Sequence, residues 1–302
     1  MRYCRFLAPL ETSRPATPAY GEVALREDGF WIERLLADNP LQANTTQAEA
    51  PAVSQVVLRA SPQALAQAKP EPSFTPLRLA EVKLLPPVSP SKIVCVGRNY
   101  RDHAAELGNE VPREPLLFLK PPSALIACGE PILLPTQPCF AQMRVDYEGE
   151  LALVIGRRAS QLEPDDDLWS YLHGYTIAND VTARDLQKTD GQWTRAKGFD
   201  TFCPVGPMVN CDLSQLAGPG LALTTRHNGR VVQQGHTSDL IFSIPQLLCS
   251  ITAVMTLVPG DLVLTGTPAG VSGIRRKDTV EIELTGAGRL SNPVLERASE
   301  KP

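Results

Sequence analysis

No apolar run in this sequence approaches the roughly 20 residues that a membrane span needs. Long basic runs are missing as well. The 29 Lys and Arg stand against 33 Asp and Glu, for a net charge of −4. That balance argues against nucleic acid or an anionic membrane as the main partner. Seven cysteines are present (Cys4, Cys95, Cys128, Cys139, Cys203, Cys211 and Cys249), but none forms a C-x-x-C pair. An odd, scattered set of this kind is expected to be free buried thiols in a reducing compartment, not a disulfide frame or a zinc cluster. The first seven residues run into the proline-containing stretch 8–11 without a sustained apolar region. No secretory leader is read there, and a cytoplasmic location is expected. G-x-S-x-G, P-loop, G-x-G-x-x-G and H-E-x-x-H signals are absent. Serine-hydrolase and nucleotide-dependent chemistry therefore lack their usual marks.

What is present is an ordinary globular composition, 43% hydrophobic and 21% charged over 302 residues. That length suits one large domain, or a main domain with a smaller appendage. Residues 1–85 differ in texture from the rest. Apolar runs at 23–26 and 30–36 flank an Asp28-Gly29 turn, which predicts a hairpin. Residues 39–52 are polar and irregular, and Ser61-Pro62 opens a short predicted helix. A proline-dense link over 70–90 then separates a small N-terminal α/β module (1–85) from the main domain (86–302).

From residue 92 onward, short apolar strands alternate with few, short helices. Strands are predicted at 92–96, 116–119, 174–178, 262–264 and 279–284. A hairpin is predicted around Asn228-Gly229, one or two helical turns over 102–108, and a helix over 244–251. There is no regular βαβ alternation. The pattern predicts an α+β, β-rich fold with a large mixed or antiparallel sheet.

The stretch 145–155 organises the chain. Its second half is apolar and branched, and its first half carries Asp146, Glu148 and Glu150. It reads as one buried strand with an acidic mouth, and strand alternation points Glu148 and Glu150 to the same side. Such a pair is either a solvated strand end or part of a site for a hard cation. Asp180, at the end of the 174–178 strand, would supply a third oxygen ligand or simply make a turn. His103 and Glu106 stand three apart on a predicted helix, where a carboxylate can orient an imidazole as a general base or form a surface pair. Arg184 and Lys197 are candidate cations for a substrate carboxylate or a developing enolate, or ordinary salt-bridge partners. Thr267 lies in a Gly/Pro loop that could offer a hydroxyl and backbone N–H groups to an oxyanion.

Taken in order, these pieces resemble the fumarylacetoacetate hydrolase family. The matching motifs are Val96-Gly-Arg-Asn-Tyr-Arg-Asp-His103, Leu117-Phe-Leu-Lys-Pro121, Asp146-Tyr-Glu-Gly-Glu-Leu-Ala152 and Asn179-Asp-Val-Thr-Ala-Arg-Asp-Leu-Gln187. They continue with Ala196-Lys-Gly-Phe-Asp200, Ile241-Phe-Ser-Ile-Pro245 and Leu264-Thr-Gly-Thr-Pro268. The resemblance implies a mixed β-sandwich roll and Mg²⁺ or Mn²⁺ held by Glu148, Glu150 and Asp180. It also implies a His103–Glu106 water-activating dyad on a mobile lid, with Lys197 stabilising an enolate. Arg184, Gln187, Tyr100 and Thr267 would face a 2-oxo or β-diketo acid, in a homodimer. The implied reaction is hydrolysis of a C–C bond of the acylpyruvate or fumarylacetoacetate type. Its alternatives are isomerisation of a 2-hydroxyhepta-2,4-dienedioate, as in aromatic catabolism, decarboxylation of an oxaloacetate-like acid, or a non-catalytic metal-dependent binding module.

Overall fold

Strand β11 (Gly149–Ile155) is buried at every position, which explains why its sequence is a continuous apolar run instead of an alternating one. Leu151, Leu153 and Ile155 pack into one core cluster with Val280, Ile282 and Leu284. Ala152 and Val154 face a second cluster with Ile93, Leu262 and Leu264. The strand is thus the wall between two layers of a sandwich.

The computed structural model describes residues 1–7, 18–36, 76–140 and 142–298. In chain order its strands are β1 (Arg2–Leu7), β2 (Pro18–Arg26), β3 (Gly29–Leu36), β4 (Leu77–Arg78), β5 (Leu84–Leu85), β6 (Ile93–Gly97) and β7 (Leu116–Lys120). Next come β8 (Leu125–Ile126), β9 (Ile132–Leu134), β10 (Val145–Asp146), β11, β12 (Leu172–Asn179), β13 (Thr182–Ala183) and β14 (Cys203–Asn210). The last are β15 (Ala222–His227), β16 (Arg230–His236), β17 (Leu262–Leu264), β18 (Thr279–Leu284) and β19 (Gly288–Glu296). A 12-stranded sheet runs β4-β3-β2-β1-β14-β12-β11-β17-β6-β7, with β5 on β1 and β8 on β14. A five-stranded sheet, β16-β15-β18-β19-β9, covers it, and β10 pairs β13 separately. Pairing is mostly antiparallel, but β17–β6, β14–β8 and β19–β9 are parallel. The fold is β-rich α+β and mixed, as the strand pattern predicts.

The Asp28-Gly29 and Asn228-Gly229 turns form their hairpins, with Arg26 opposite Gly29 and His227 opposite Arg230. The main helix, Ile244–Val254, starts at a capping box between Ser243 and Gln246 with proline in its first turn. The described N-terminal strands continue the main sheet, with Arg2 and Tyr3 paired with Asn210 and Val209. The polar stretch 39–52 and the helix predicted from Ser61 lie outside the described residues. No helix among the described residues is long and apolar enough to cross a membrane.

Candidate metal and active site

The predicted strand 145–155 is interrupted at its acidic end, where Tyr147 and Glu148 separate β10 from β11. There the backbone bonds turn to side chains. Glu148 N–H donates to Asn179 Oδ1 at 2.9 Å, and Gly149 N–H donates to Gln233 Oε1 at 3.1 Å. A Cβ at Gly149 would lie 2.2 Å from Thr225 Oγ1, so the close approach requires glycine. Gly149 pairs with Asn179 across β11 and β12, which carries Asp180 to the same edge. The Asp180 N–H then donates to the Glu148 carbonyl at 2.8 Å.

Glu148, Glu150 and Asp180 each offer an oxygen within 4.8 Å of the others, and all three are buried. Three cations reach Glu148 and Asp180, and a fourth reaches the neighbouring Asp146. Lys197 Nζ lies 2.9 Å from Glu148 and 2.5 Å from Asp180, and Lys120 Nζ lies 2.7 Å from the other Asp180 oxygen. Arg184 reaches Glu148 at 2.5 Å and Asp146 at 2.8 Å, and Arg144 pairs with Asp146 through two bonds. Burial raises the Glu148 carboxyl, but Lys197 and Arg184 outweigh it and hold the group well below the usual carboxylate range. Glu150 goes the other way. Burial, then repulsion from Asp180 and Glu148, pushes it well above that range, and among the described residues the Gly266 N–H (2.7 Å) alone is hydrogen-bonded to its carboxylate. Three converging carboxylates with one left uncompensated fit a hard divalent cation, and the all-oxygen donor set suits Mg²⁺ or Mn²⁺ better than zinc or copper.

His103 and Glu106 lie on the helix Arg101–Glu106, which ends where the Gly108 N–H returns to the Ala105 carbonyl. His103 is buried, and its Nδ1 stands 3.4 Å from Glu106 Oε2, a long contact. Burial lowers the His103 pKa; Glu148 and Glu106 raise it only in part, so the ring is held below its usual value and stays neutral near pH 7. His103, the three carboxylates, Arg184, Gln187, Lys197 and Thr267 all line one cavity of about 310 Å³. Thr267 Oγ1 donates to the Gly149 carbonyl and accepts from Gln233. Every nitrogen-bearing arm of Arg184 is engaged by protein, with Gln187 taking the third at 2.8 Å.

Tyr100 is not among the residues that line this cavity, though it lies near enough for the Glu150 charge to add to the burial that raises its pKa; its backbone bridges Leu240 and its ring packs toward Gly235. Its position just ahead of the helix makes it extended and buried, which the motif alone does not reveal.

Sequence reasoning assigned no role to Lys120. A lysine closing an apolar strand is fully buried only when paired, and that was the available signal. Phe118 and Trp193, packed edge to face at 5.1 Å, form an aromatic wall that carried no signal of its own. Lys197 Nζ sits 4.8 Å from the Phe118 ring centre.

Four likenesses to known proteins bear on this site. Residues 92–295 match the sequence profile described as fumarylacetoacetate (FAA) hydrolase C-terminal. Oxaloacetate tautomerase YisK of Bacillus subtilis is 42% identical over 227 residues, covering 72% of this chain and 74% of that protein. The solved 5-carboxymethyl-2-hydroxymuconate delta-isomerase of Mycobacterium smegmatis is 37% identical with a TM-score of 0.76, over 98% of this chain and 100% of its own. A maleylpyruvate hydrolase of Sphingobium sp. SYK-6, solved with manganese(II) and pyruvate, is 32% identical with a TM-score of 0.63, over 75% and 79% of the two chains.

Proposed function

The chain belongs to the fumarylacetoacetate hydrolase family, and we propose that it is a divalent-metal-dependent enzyme that acts on a 2-oxo acid through its enolate. The observation that supports this reading is one cavity lined both by three converging carboxylates and by a neutral, buried histidine. Glu148, Glu150 and Asp180 would hold Mg²⁺ or Mn²⁺, which supplies a Lewis acid for the carboxylate and oxo oxygens of the substrate.

The reaction we favour is proton transfer: keto–enol tautomerisation or the related isomerisation, as in the named tautomerase and isomerase relatives. His103, neutral, takes the proton from the carbon beside the oxo group. The charge that develops on the oxo oxygen is met by the Lys197 ammonium. Delivery of that proton from His103 to the oxo oxygen gives the enol, and delivery to a different carbon of a conjugated chain gives the isomer. Glu106 orients the ring, and Arg184 positions Glu148.

Hydrolysis of a C–C bond is the second reading, favoured by the His103–Glu106 pair itself and by the hydrolase relative. Here His103 takes the proton of a water that attacks the distal carbonyl, and the leaving enolate falls to Lys197.

Paired assays separate the two. Enol oxaloacetate consumption reports tautomerisation, and pyruvate release from an acylpyruvate reports hydrolysis. Metal-loaded protein should accelerate at least the first, and His103→Ala should abolish it. Activity in neither assay, or full activity in His103→Ala, would overturn the proposal.

A further inference from the structure

A second cavity, of about 390 Å³, lies where the N-terminal strands meet the β18–β19 hairpin, and it shares no lining residue with the first. Its volume falls within the ~300–1,000 Å³ usual for small-molecule sites. The floor belongs to a third core cluster, which joins Leu79 and Leu84 to Met208 of β14, with Phe30 packed against it. Gly288 keeps that floor open. Its φ is +81°, and a Cβ there would lie 3.0 Å from Met208 Cε and 3.5 Å from the Phe30 ring.

The rest of the lining is charged and balanced. The N-terminal strands supply Asp28 and Arg78, paired at 2.5 Å, and the hairpin supplies Glu283 and Arg289, paired at 3.5 Å. The four side chains are between 45% and 52% exposed. Pairs this exposed are worth only about 0–1 kcal/mol, so a ligand that brings both charges can replace either one. Opening them strands no group. Trp31 donates to Asp28 at 2.8 Å, and Arg226 stays 3.0 Å from Glu283. Arg289 keeps Glu281 at 3.3 Å, and Arg78 stands 5.2 Å from the centre of the Trp31 ring. An anion alone or a cation alone would meet a like charge beside each partner. A molecule that carries both charges at one end of an apolar body would not.

We propose that this second cavity binds a zwitterionic α-amino acid with a large apolar side chain, of the leucine, methionine or phenylalanine kind. The side chain lies over Phe30 and Met208 and is driven there by burial of its apolar surface. The carboxylate meets the guanidinium of Arg78 or Arg289, which offers two parallel N–H donors, and the ammonium meets Asp28 or Glu283. The site is separate from the carboxylates Glu148, Glu150 and Asp180 and does not depend on the reaction proposed for them.

The test is calorimetric titration of the full protein with L-phenylalanine, 3-phenylpropionate, 2-phenylethylamine and glycine, in chelator and again with Mg²⁺ and excess oxalate. Phenylpropionate lacks the ammonium, phenylethylamine lacks the carboxylate, and glycine lacks the apolar body. The wild type should bind L-phenylalanine with a Kd below about 1 mM under both conditions, and the other three at least about tenfold more weakly. Ala80→Trp, at an exposed position of the lining, should fill the cavity and abolish binding. The double variant Glu283→Gln/Arg289→Gln should weaken binding about tenfold, and both variants should keep the wild-type response to Mg²⁺ and oxalate. Three results would overturn the proposal: no binding of L-phenylalanine by the wild type, equal binding of either singly charged analogue, or undiminished binding in Ala80→Trp or in the double variant. Loss of binding when Mg²⁺ and oxalate are present would overturn it too, because the amino acid would then be seated at the carboxylates.

Discussion

The backbone N–H of Gly270 donates to both carboxylate oxygens of Glu106, at 3.1 Å each. One loop amide therefore holds the carboxylate that stands beside His103. The loop can present that amide only because residue 270 lacks a side chain: φ is +107°, and a Cβ would fall 1.9 Å from the Val232 carbonyl. Tyr147 ties the same loop from below, its hydroxyl donating to the Gly270 carbonyl at 2.8 Å. Gly270→Ala should displace the loop and release Glu106. The strain should lower stability by about 1–3 kcal/mol, and misplacement of the dyad should lower kcat by on the order of 100-fold. Mg²⁺-induced stabilisation should persist, because the carboxylates are untouched. Wild-type kcat in this variant would show that the Gly270–Glu106 contact does not matter for turnover.

The pH profile should report His103. A base must be neutral, and burial has already lowered the pKa of this ring below its ordinary value. Activity should therefore stay level as pH falls through about 6.5, the unperturbed histidine value, and decline only below it. Glu106 raises this pKa through its hydrogen bond and charge. Glu106→Gln should thus move the acid limb to still lower pH while reducing the plateau rate. An acid limb that moves to higher pH in this variant would contradict the assignment.

Glu150 makes a prediction for the metal-free protein. Its folded pKa is raised, so the folded state keeps this proton longer than the unfolded chain does. The resulting stability is fully present below the unfolded value of about 4.3 and is lost as pH rises toward the folded one. Glu150→Gln removes that loss. Without metal, the variant should melt above the wild type at pH 8, with the gap closing toward pH 4, and it should gain nothing from Mg²⁺. Chemical unfolding across pH in chelator reads this directly, and a variant less stable at pH 8 would refute it.

Asp261 tests the frame behind the site. It is fully buried and accepts from Ser91 N–H, Ser91 O–H, Lys92 N–H and Val258 N–H, with Lys92 Nζ at 2.5 Å. Together these bonds fasten the start of β6 to the start of β17. Asp261→Ala leaves several buried donors unmatched and should cost about 3–5 kcal/mol in chemical unfolding. A loss under 1 kcal/mol would mean that the parallel β6–β17 pair holds without it.

How much of this was legible in the sequence follows from the range of each interaction. The Asp28-Gly29 and Asn228-Gly229 hairpins, the Ser243 cap and the apolar strand 149–155 are local, and local chemistry dictates them. Strand alternation also led to the pairing of Glu148 with Glu150, although the chain breaks its ladder at Glu148 and bonds to Asn179 and Gln233 instead. Those partners are 31 and 84 residues away, and no periodicity announces them. Lys120 was hidden for the same reason, because its partner Asp180 lies in another strand's exit. The extension of the main sheet by β1 depends on two pairs, Arg2 with Asn210 and Tyr3 with Val209.

The most direct test of the account is thermal unfolding of the wild type with Mg²⁺, with oxalate, and with both. Oxalate imitates the chelating face of a 2-oxo acid enolate and assumes no particular substrate. The account predicts stabilisation by Mg²⁺ and a larger one that requires the pair, about 2.7 kcal/mol when a site is filled at 100 times its dissociation constant. No shift under any of the three conditions would contradict it, because Glu148, Glu150 and Asp180 would then hold no working cation site.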